Sequence, residues 1–223
     1  MKRAYRLVDL SHTIEDGMIT YKGLPAPVIS DHLTREASEK YYAPGTQFQI
    51  GRIEMVANTG TYLDSPFHRY QDGRDLAAID LYSLANLPGV VVRTGGARSI
   101  SIDALSGLDL QGKAVLFHTG WDVHWRTEKY FENTHPYLSA EAAAYLAQAG
   151  ATVVGIDSYN IDDTEDARRP AHSILLRNDI LIVEHLCRLA DLPDRDFQFF
   201  AVPVKVKGMA SFPVRAFGIV RGV

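Results

Sequence analysis

Residues 58–68 read Asn-Thr-Gly-Thr-Tyr-Leu-Asp-Ser-Pro-Phe-His. Gly60 lies between two threonines and allows a tight backbone path. A carboxylate and an imidazole follow, Asp64 and His68, and both can share a site on an extended, turning segment. Asp-Ser-Pro is also a common turn sequence, in which the aspartate caps backbone amides. The stretch by itself therefore leaves a functional site and a structural turn both open.

The segments on both sides of this stretch predict a single mixed α/β domain over residues 1–223. Compact apolar runs predict buried strands over residues 89–92, 114–118, 152–156 and 180–183, a strand over 5–10, and a half-buried strand over 48–56. The runs 197–206 and 212–220 predict a hairpin around residues 208–211. The clearest helix follows Ser139, a good N-cap, and ends near Gly150, which suits a left-handed C-cap. Strands and helix in succession indicate an α/β arrangement.

The composition excludes several classes of protein. Hydrophobic residues make up 46% and charged residues 22%, as in ordinary globular domains. A net charge of −4 gives no electrostatic footprint for nucleic acid and disfavours anionic membranes. No apolar run approaches the roughly 20 residues of a membrane helix, and residues 1–11 lack a signal-peptide core. We expect a cytoplasmic protein that binds a small molecule or another copy of itself. The single cysteine, Cys187, is interpreted as buried packing.

Residues 58–68 resemble the signature of the cyclase family, His-x-Gly-Thr-His-x-Asp-x-Pro-x-His. This family includes bacterial kynurenine formamidases and isatin hydrolase. Five signature positions match, and similar segments follow in the right order along nearly the whole chain; they are residues 9–12, 15–18, 119–121, 135–139, 154–157, 172–176 and 182–193. The resemblance implies a domain of the swivelling β/β/α cyclase type. It also implies hydrolysis of carbon–nitrogen amide bonds, with N-formylkynurenine conversion to kynurenine and formate, a step of tryptophan catabolism, as the best single candidate.

The metal-binding pattern of the family is altered in this chain. The resemblance assigns Asp64, His172 and Glu184 as ligands, but Asn58 and Tyr62 stand where the family has two histidines. A carboxamide is a weak ligand, and tyrosine must lose a proton to bind well. We therefore expect at most one divalent metal, zinc or manganese, bound more weakly than in relatives with both histidines.

The resemblance also implies catalytic roles. His68 matches a histidine that moves protons, and a neutral imidazole suits that task near pH 7. Asn58 and Tyr62 are expected beside the metal but outside bonding distance. There Tyr62 either donates a hydrogen bond to the developing oxyanion or fills the space of the lost metal. A metal-free hydrolase that uses Asp64 or Glu184 with His68 as base is a further alternative.

The sequence supports three more expectations and one alternative function. Trp121, Trp125, Tyr21 and Tyr159 are candidates for an aromatic pocket, although core packing is the commoner role of such side chains. The acidic run 162–166 predicts a solvated loop. The family resemblance and the apolar strands of the tail lead us to expect a homodimer or a dimer of dimers. The main alternative function is a metal-free family member that binds a small aromatic or carboxylate ligand without hydrolysing it.

Overall fold

The computed structural model describes residues 4–222 of the chain. Within these residues the regular elements are thirteen strands and three helices. In chain order they are β1 (Tyr5–Asp9), β2 (Val28–Leu33), α1 (Arg35–Ser38), β3 (Ile50–Glu54), β4 (Tyr62–Asp64), β5 (Leu87–Arg93), β6 (Ser99–Ile100), β7 (Ala114–His118), β8 (Tyr137–Leu138), α2 (Ala140–Gln148), β9 (Val153–Ile156), α3 (Pro170–Arg177), β10 (Leu181–Glu184), β11 (Phe197–Phe200), β12 (Ser211–Pro213) and β13 (Phe217–Arg221).

Nine of the strands described within residues 4–222 form one curled, mixed sheet in the order β1-β13-β11-β5-β7-β9-β10-β4-β12. Its centre, β5, β7, β9 and β10, is parallel, and antiparallel strands flank it on both sides. The curl brings the chain after β1 back to the end of β10. Ser11 bridges Leu186 there, and the amide of Cys187 donates to the carbonyl of Leu10 at 3.0 Å.

The sheet separates two apolar layers, because alternate residues of a strand point to opposite faces. Leu116 and Val183 lie in one layer, whereas Val115 and Ile182 lie in the other. Helices α2 and α3 cover the second layer. Both faces of the parallel strands are therefore buried, which explains why their sequences are continuous apolar runs. None of the helices within residues 4–222 is both long enough and apolar enough to cross a membrane.

Helix α2 confirms the prediction made from its caps. The Ser139 hydroxyl accepts from the amide of Ala142 at 3.2 Å at the N-terminus. Gly150 follows the helix at φ +74°, a conformation that costs a glycine little. Cys187 is buried as predicted, and burial raises the pKa of its thiol to about 12, so the neutral thiol is the resting form.

Two strand predictions are correct about the strand itself but wrong about its burial or its connection. Strand β3 is exposed along its length and pairs with β2 in a separate two-stranded ribbon, so it is not half-buried. The two tail runs do pair antiparallel, as β11 with β13, but no tight hairpin forms around residues 208–211, because the intervening β12 pairs with β4. In both cases the apolar pattern indicated a strand correctly. It did not indicate that β3 is exposed or that a further strand interrupts the tail.

Candidate active site

Strands β4 and β10 position the candidate site. Their antiparallel register places Tyr62 opposite Glu184 and Asp64 opposite Ile182. His68 ends the short 3₁₀ turn Pro66–His68 that follows β4, and His172 lies in the first turn of α3. Together they surround a pocket of about 280 Å³ that is lined by Asn58, Tyr62, His68, His172 and Glu184, among others. The fold thus brings all six predicted site residues to one place.

Asp64 lies at the base of this site and is completely buried. Its Oδ1 accepts a hydrogen bond from the Ser211 hydroxyl, whereas its Oδ2 is buried with no hydrogen-bond partner among the described residues. Burial by itself would raise the pKa of Asp64, but His172, His68 and Ser211 together hold that pKa below its ordinary value. A charged oxygen without a partner in this position is suited to a cation.

Ser211 is a site residue that the sequence interpretation missed. Its hydroxyl donates to Asp64, and its Oγ also lies 3.2 Å from Nδ1 of His68. Because the only hydroxyl proton goes to Asp64, Oγ acts as acceptor toward His68. His68 therefore carries its proton on Nδ1, which leaves Nε2 as the nitrogen with a free lone pair. The sequence placed Ser211 in a tail turn, and no local signal connects that turn to Asp64.

His172 is oriented by a carboxylate. Its Nδ1 lies 2.7 Å from Oδ2 of Asp162, and its Nε2 lies 3.7 Å from Oδ2 of Asp64 and 3.8 Å from Oε1 of Glu184. Burial alone would lower the pKa of His172, but Glu184, Asp162 and Asp64 raise it to about 10. A histidine that donates from Nδ1 to a carboxylate presents Nε2 to a metal in a fixed orientation.

Asp162 corrects the prediction of a solvated acidic loop. Its side chain is fully buried, and its two oxygens accept from the amides of Ala171 at 2.6 Å and His172 at 3.0 Å, at the start of α3. The later acidic residues of the run do lie nearer the surface, where Asp163 pairs with Arg98. Pro170 is a typical first residue of a helix, and this start signal could have identified the need for a nearby cap.

Tyr62 and Glu184 share a hydrogen bond across the two strands. The Tyr62 hydroxyl donates to Oε2 of Glu184, and the amide of Ile161 donates to Oε1 at 2.7 Å. Burial and the Glu184 carboxylate raise the pKa of Tyr62 well above its ordinary value. Tyr62 is therefore a neutral phenol that gives its proton to Glu184, which is the opposite of what a tyrosinate metal ligand requires.

Some of the aromatic candidates line the pocket, and the others pack against neighbouring side chains. Tyr21 lines the pocket, and its hydroxyl donates to the carbonyl of Tyr159 at 3.1 Å. Tyr159 is buried behind it, with the ring centroids 4.7 Å apart. Trp121 and Trp125 are not among the described residues that line this pocket; Trp125 instead stacks on His12 at 3.9 Å. Packing is thus the role of most of these side chains, as the sequence interpretation favoured.

The donor groups fit one divalent ion. Asp64, His68 and His172 each offer a ligand atom, and these atoms lie within 4.8 Å of one another. An ion there would supply the missing partner of Asp64 Oδ2. This set shares Asp64 and His172 with the ligands expected from the sequence. Oε1 of Glu184 lies 3.8 Å from Nε2 of His172, and Oδ2 of Asp64 lies 3.7 Å from the same nitrogen. The choice between His68 and Glu184 as third ligand stays a prediction.

Comparisons with known proteins agree with this geometry. Residues 8–163 match the family model described as "Putative cyclase". A kynurenine formamidase of Geobacillus thermodenitrificans is 33% identical over 75% of this chain and 78% of its own length. One of Bacillus cytotoxicus is 27% identical over 96% and 97%.

Solved structures extend the likeness to the whole domain. A structure described as a potential metal-dependent hydrolase with cyclase activity is 28% identical, with a TM-score of 0.80 over 98% of this chain and 99% of that one. An isatin hydrolase bound to thioisatinate, at 21% identity, shares the fold with a TM-score of 0.81 over 98% and 93%. The predicted single α/β domain is confirmed, and the chain belongs to the cyclase family.

Proposed function

We propose that this chain hydrolyses carbon–nitrogen amide bonds and that its reaction is of the arylformamidase type, N-formylkynurenine to kynurenine and formate. The family relatives named kynurenine formamidase support an amide hydrolase. The observation that carries the proposal is the convergence of Asp64, His68 and His172 around one point, with Asp64 Oδ2 unpaired. Hydrolysis in the cytoplasm, within tryptophan catabolism, is part of the same proposal.

Asp64, His172 and Glu184 would hold one zinc or manganese ion. These three side chains are at most 8% exposed, whereas the His68 side chain is 35% exposed. The buried trio therefore suits a resident ion, and the more open histidine suits proton exchange with substrate. When bound, such an ion acts as a Lewis acid that polarises a carbonyl and makes water more acidic.

His68 is the proposed proton shuttle. Its Nδ1 is engaged by Ser211, so Nε2 accepts a proton from the water that attacks the amide carbon. A carbon–oxygen bond forms, the carbon–nitrogen bond breaks, and the same nitrogen of His68 returns the proton to the leaving amine. The proton count is therefore balanced without another acid.

Asn58 and Tyr62 have different proposed tasks. The Tyr62 proton is committed to Glu184, so Tyr62 positions that carboxylate. Asn58 lines the pocket, and its carboxamide NH₂ can donate to the oxygen that gains negative charge during attack. Asn58 is therefore the proposed oxyanion donor, and Tyr62 holds the Glu184 carboxylate in place.

The test combines metal analysis with a formamide-hydrolysis assay on protein purified without chelator. We expect at most one divalent ion per chain, loss of hydrolysis with a chelator, and recovery with zinc or manganese. The double variant Asn58→His with Tyr62→His restores two imidazoles and should raise metal content toward two ions. Full hydrolysis by protein that contains no metal would contradict the proposal, as would two ions in the natural sequence.

A second candidate function is a metal-free member that binds a small aromatic or carboxylate ligand without hydrolysing it. It is favoured by the Tyr62–Glu184 hydrogen bond, which satisfies an expected metal ligand with a protein donor. His172, with its pKa raised to about 10, would then be the cation that balances the buried carboxylates. Ligand binding by protein that holds no metal and hydrolyses no amide would support this candidate.

We further propose a homodimer or a dimer of dimers. The β2–β3 ribbon has exposed apolar side chains on both faces: the cross-strand partners Ile29 and Ile53 lie on one face, and Val28 and Ile50 lie on the other. The Ile29–Ile53 pair, 45% and 50% exposed, supports a protein–protein contact surface on its face. Light scattering at micromolar concentration should give at least twice the chain mass of 24.8 kDa. Ile29→Lys with Ile53→Lys, at cross-strand partners, should favour monomers. A 24.8 kDa particle for the natural sequence would contradict the assembly.

A further inference from the structure

Two arginines line the active-site pocket without an acidic partner. Arg69 and Arg169 face the same pocket as His68 and Glu184. Among residues 4–222 neither guanidinium forms an ion pair with a carboxylate, although nine other arginines do. In a chain of net charge −4, carboxylates are not scarce. Arg35 and Arg195 also form no ion pair among the described residues, so what distinguishes Arg69 and Arg169 is that both lie at one pocket.

Arg69 is held in place by neutral oxygens. Its Nε donates to the Ser173 hydroxyl at 3.2 Å, and its Nη2 donates to the carbonyl of Arg168 at 3.0 Å. A guanidinium has five N–H donors, and Nη1 has no partner among the described residues. The side chain is thus fixed against the start of α3, and Nη1 remains available as a donor to a ligand.

Arg169 is held beside it in an unusual backbone conformation. It precedes α3 at φ +50° and ψ 61°, in the left-handed region that residues with a side chain rarely adopt. Its Nη1 reaches the Asn160 side-chain oxygen and the carbonyl of Asp163 only at 3.4 Å each, and both acceptors are neutral. The remaining nitrogens have no protein acceptor among the described residues.

These arginines favour one kind of ligand group. A neutral substrate would leave both charges unpaired at the pocket, whereas a carboxylate accepts two parallel hydrogen bonds from a guanidinium. The acidic groups of the site do not pair with these arginines: Asp64 accepts from Ser211 and directs its second oxygen to the proposed metal position, and Glu184 accepts from Tyr62. A pocket of about 280 Å³ has room for one substituted ring.

We propose that Arg69 and Arg169 bind a carboxylate of the substrate, so that these two residues select aryl formamides that carry a carboxylate. The carboxylate lies on the part of the molecule remote from the bond that breaks. The statement that the bound carboxylate belongs to a substrate rests on the proposed amide hydrolysis. The carboxylate-binding site itself does not depend on catalysis. Substrate selection is thereby assigned to two residues outside the cyclase signature.

The kinetic test compares formanilide with 2-, 3- and 4-formamidobenzoate, which differ from it by one carboxylate. The natural protein should hydrolyse the best-fitting formamidobenzoate with a kcat/KM about 10–100 times that for formanilide. Arg69→Gln with Arg169→Gln should remove this preference, mainly by raising the KM of the formamidobenzoate toward that of formanilide. Arg195→Gln is the matched control, because it removes the same charge from an exposed arginine of a different pocket.

A binding test without chemistry separates this inference from the proposed function. Benzoate should bind the natural protein about 10–100 times more tightly than benzamide, and the double arginine variant should bind both alike. Equal hydrolysis of formanilide and all three formamidobenzoates, unaffected by the variants, would overturn the carboxylate site and keep the hydrolase. Benzoate binding through both arginines without hydrolysis of any amide would keep the carboxylate site and overturn the proposed function.

Discussion

His68→Ala is expected to lower turnover by about 10²–10⁴-fold, the usual contribution of a positioned general acid–base group. The structure gives the reason for a large effect. Ser211 engages Nδ1 of His68, so Nε2 is the nitrogen available to the substrate, and the side chain is open to the pocket. Turnover and metal content are measured on the same protein, and metal content should change little.

The control for this experiment is His124→Ala, which removes a histidine that packs against Trp121 outside the pocket. It should leave turnover close to that of the natural sequence. Unchanged turnover in His68→Ala would remove His68 from the mechanism. Loss of metal from His68→Ala together with retention in Glu184→Gln would instead assign His68 as the third ligand beside Asp64 and His172.

Asp162→Ala should lower the free energy of unfolding by roughly 3–5 kcal/mol, the range for breaking a buried charged pair by removing one partner. The variant leaves the His172 imidazole and the amides of Ala171 and His172 without their acceptor in a buried setting. Since domains of this kind are stable by only about 5–15 kcal/mol, chemical denaturation should detect the loss readily.

Two further variants make this measurement decisive. Glu165→Ala changes an exposed carboxylate of the same acidic run and should cost less than about 1 kcal/mol. Asp162→Asn keeps an oxygen for the helix amides but lacks the carboxylate that orients His172, so it should fold and lose metal. An Asp162→Ala protein as stable as Glu165→Ala would refute the structural role given to Asp162.

The features that were predictable from sequence have local causes. Helix α2 was predicted from a serine, a glutamate and a glycine that act within one turn of its ends. The buried parallel strands were predicted because both of their faces must be apolar. The antiparallel pairing of the two tail strands is confirmed, whereas the burial of β3 and the tight turn within the tail are wrong, because a strand pattern does not specify what covers a strand or what connects it to the next.

The candidate site was predictable only in part, for a similar reason. Asp64, His68, His172 and Glu184 came from family resemblance, and no spacing rule joins residues so far apart in the chain. Asp162 was misjudged because a run of charges does not reveal which carboxylate turns inward. Ser211, Arg69 and Arg169 were missed because serine and arginine are common on surfaces. Their significance depends on what lies across the pocket.

The cross-strand register of Tyr62 and Glu184 also restricts how this site can change during evolution. A single Tyr62→His step removes the donor to a fully buried carboxylate before any second ion can replace it. In such an intermediate Oε2 of Glu184 loses the phenol proton while Oε1 keeps the amide of Ile161. An unmade hydrogen bond to a buried acceptor costs about 1–3 kcal/mol. The histidine pair expected from the family signature and the Asn58/Tyr62 pair of this chain are therefore separated by a less stable single variant.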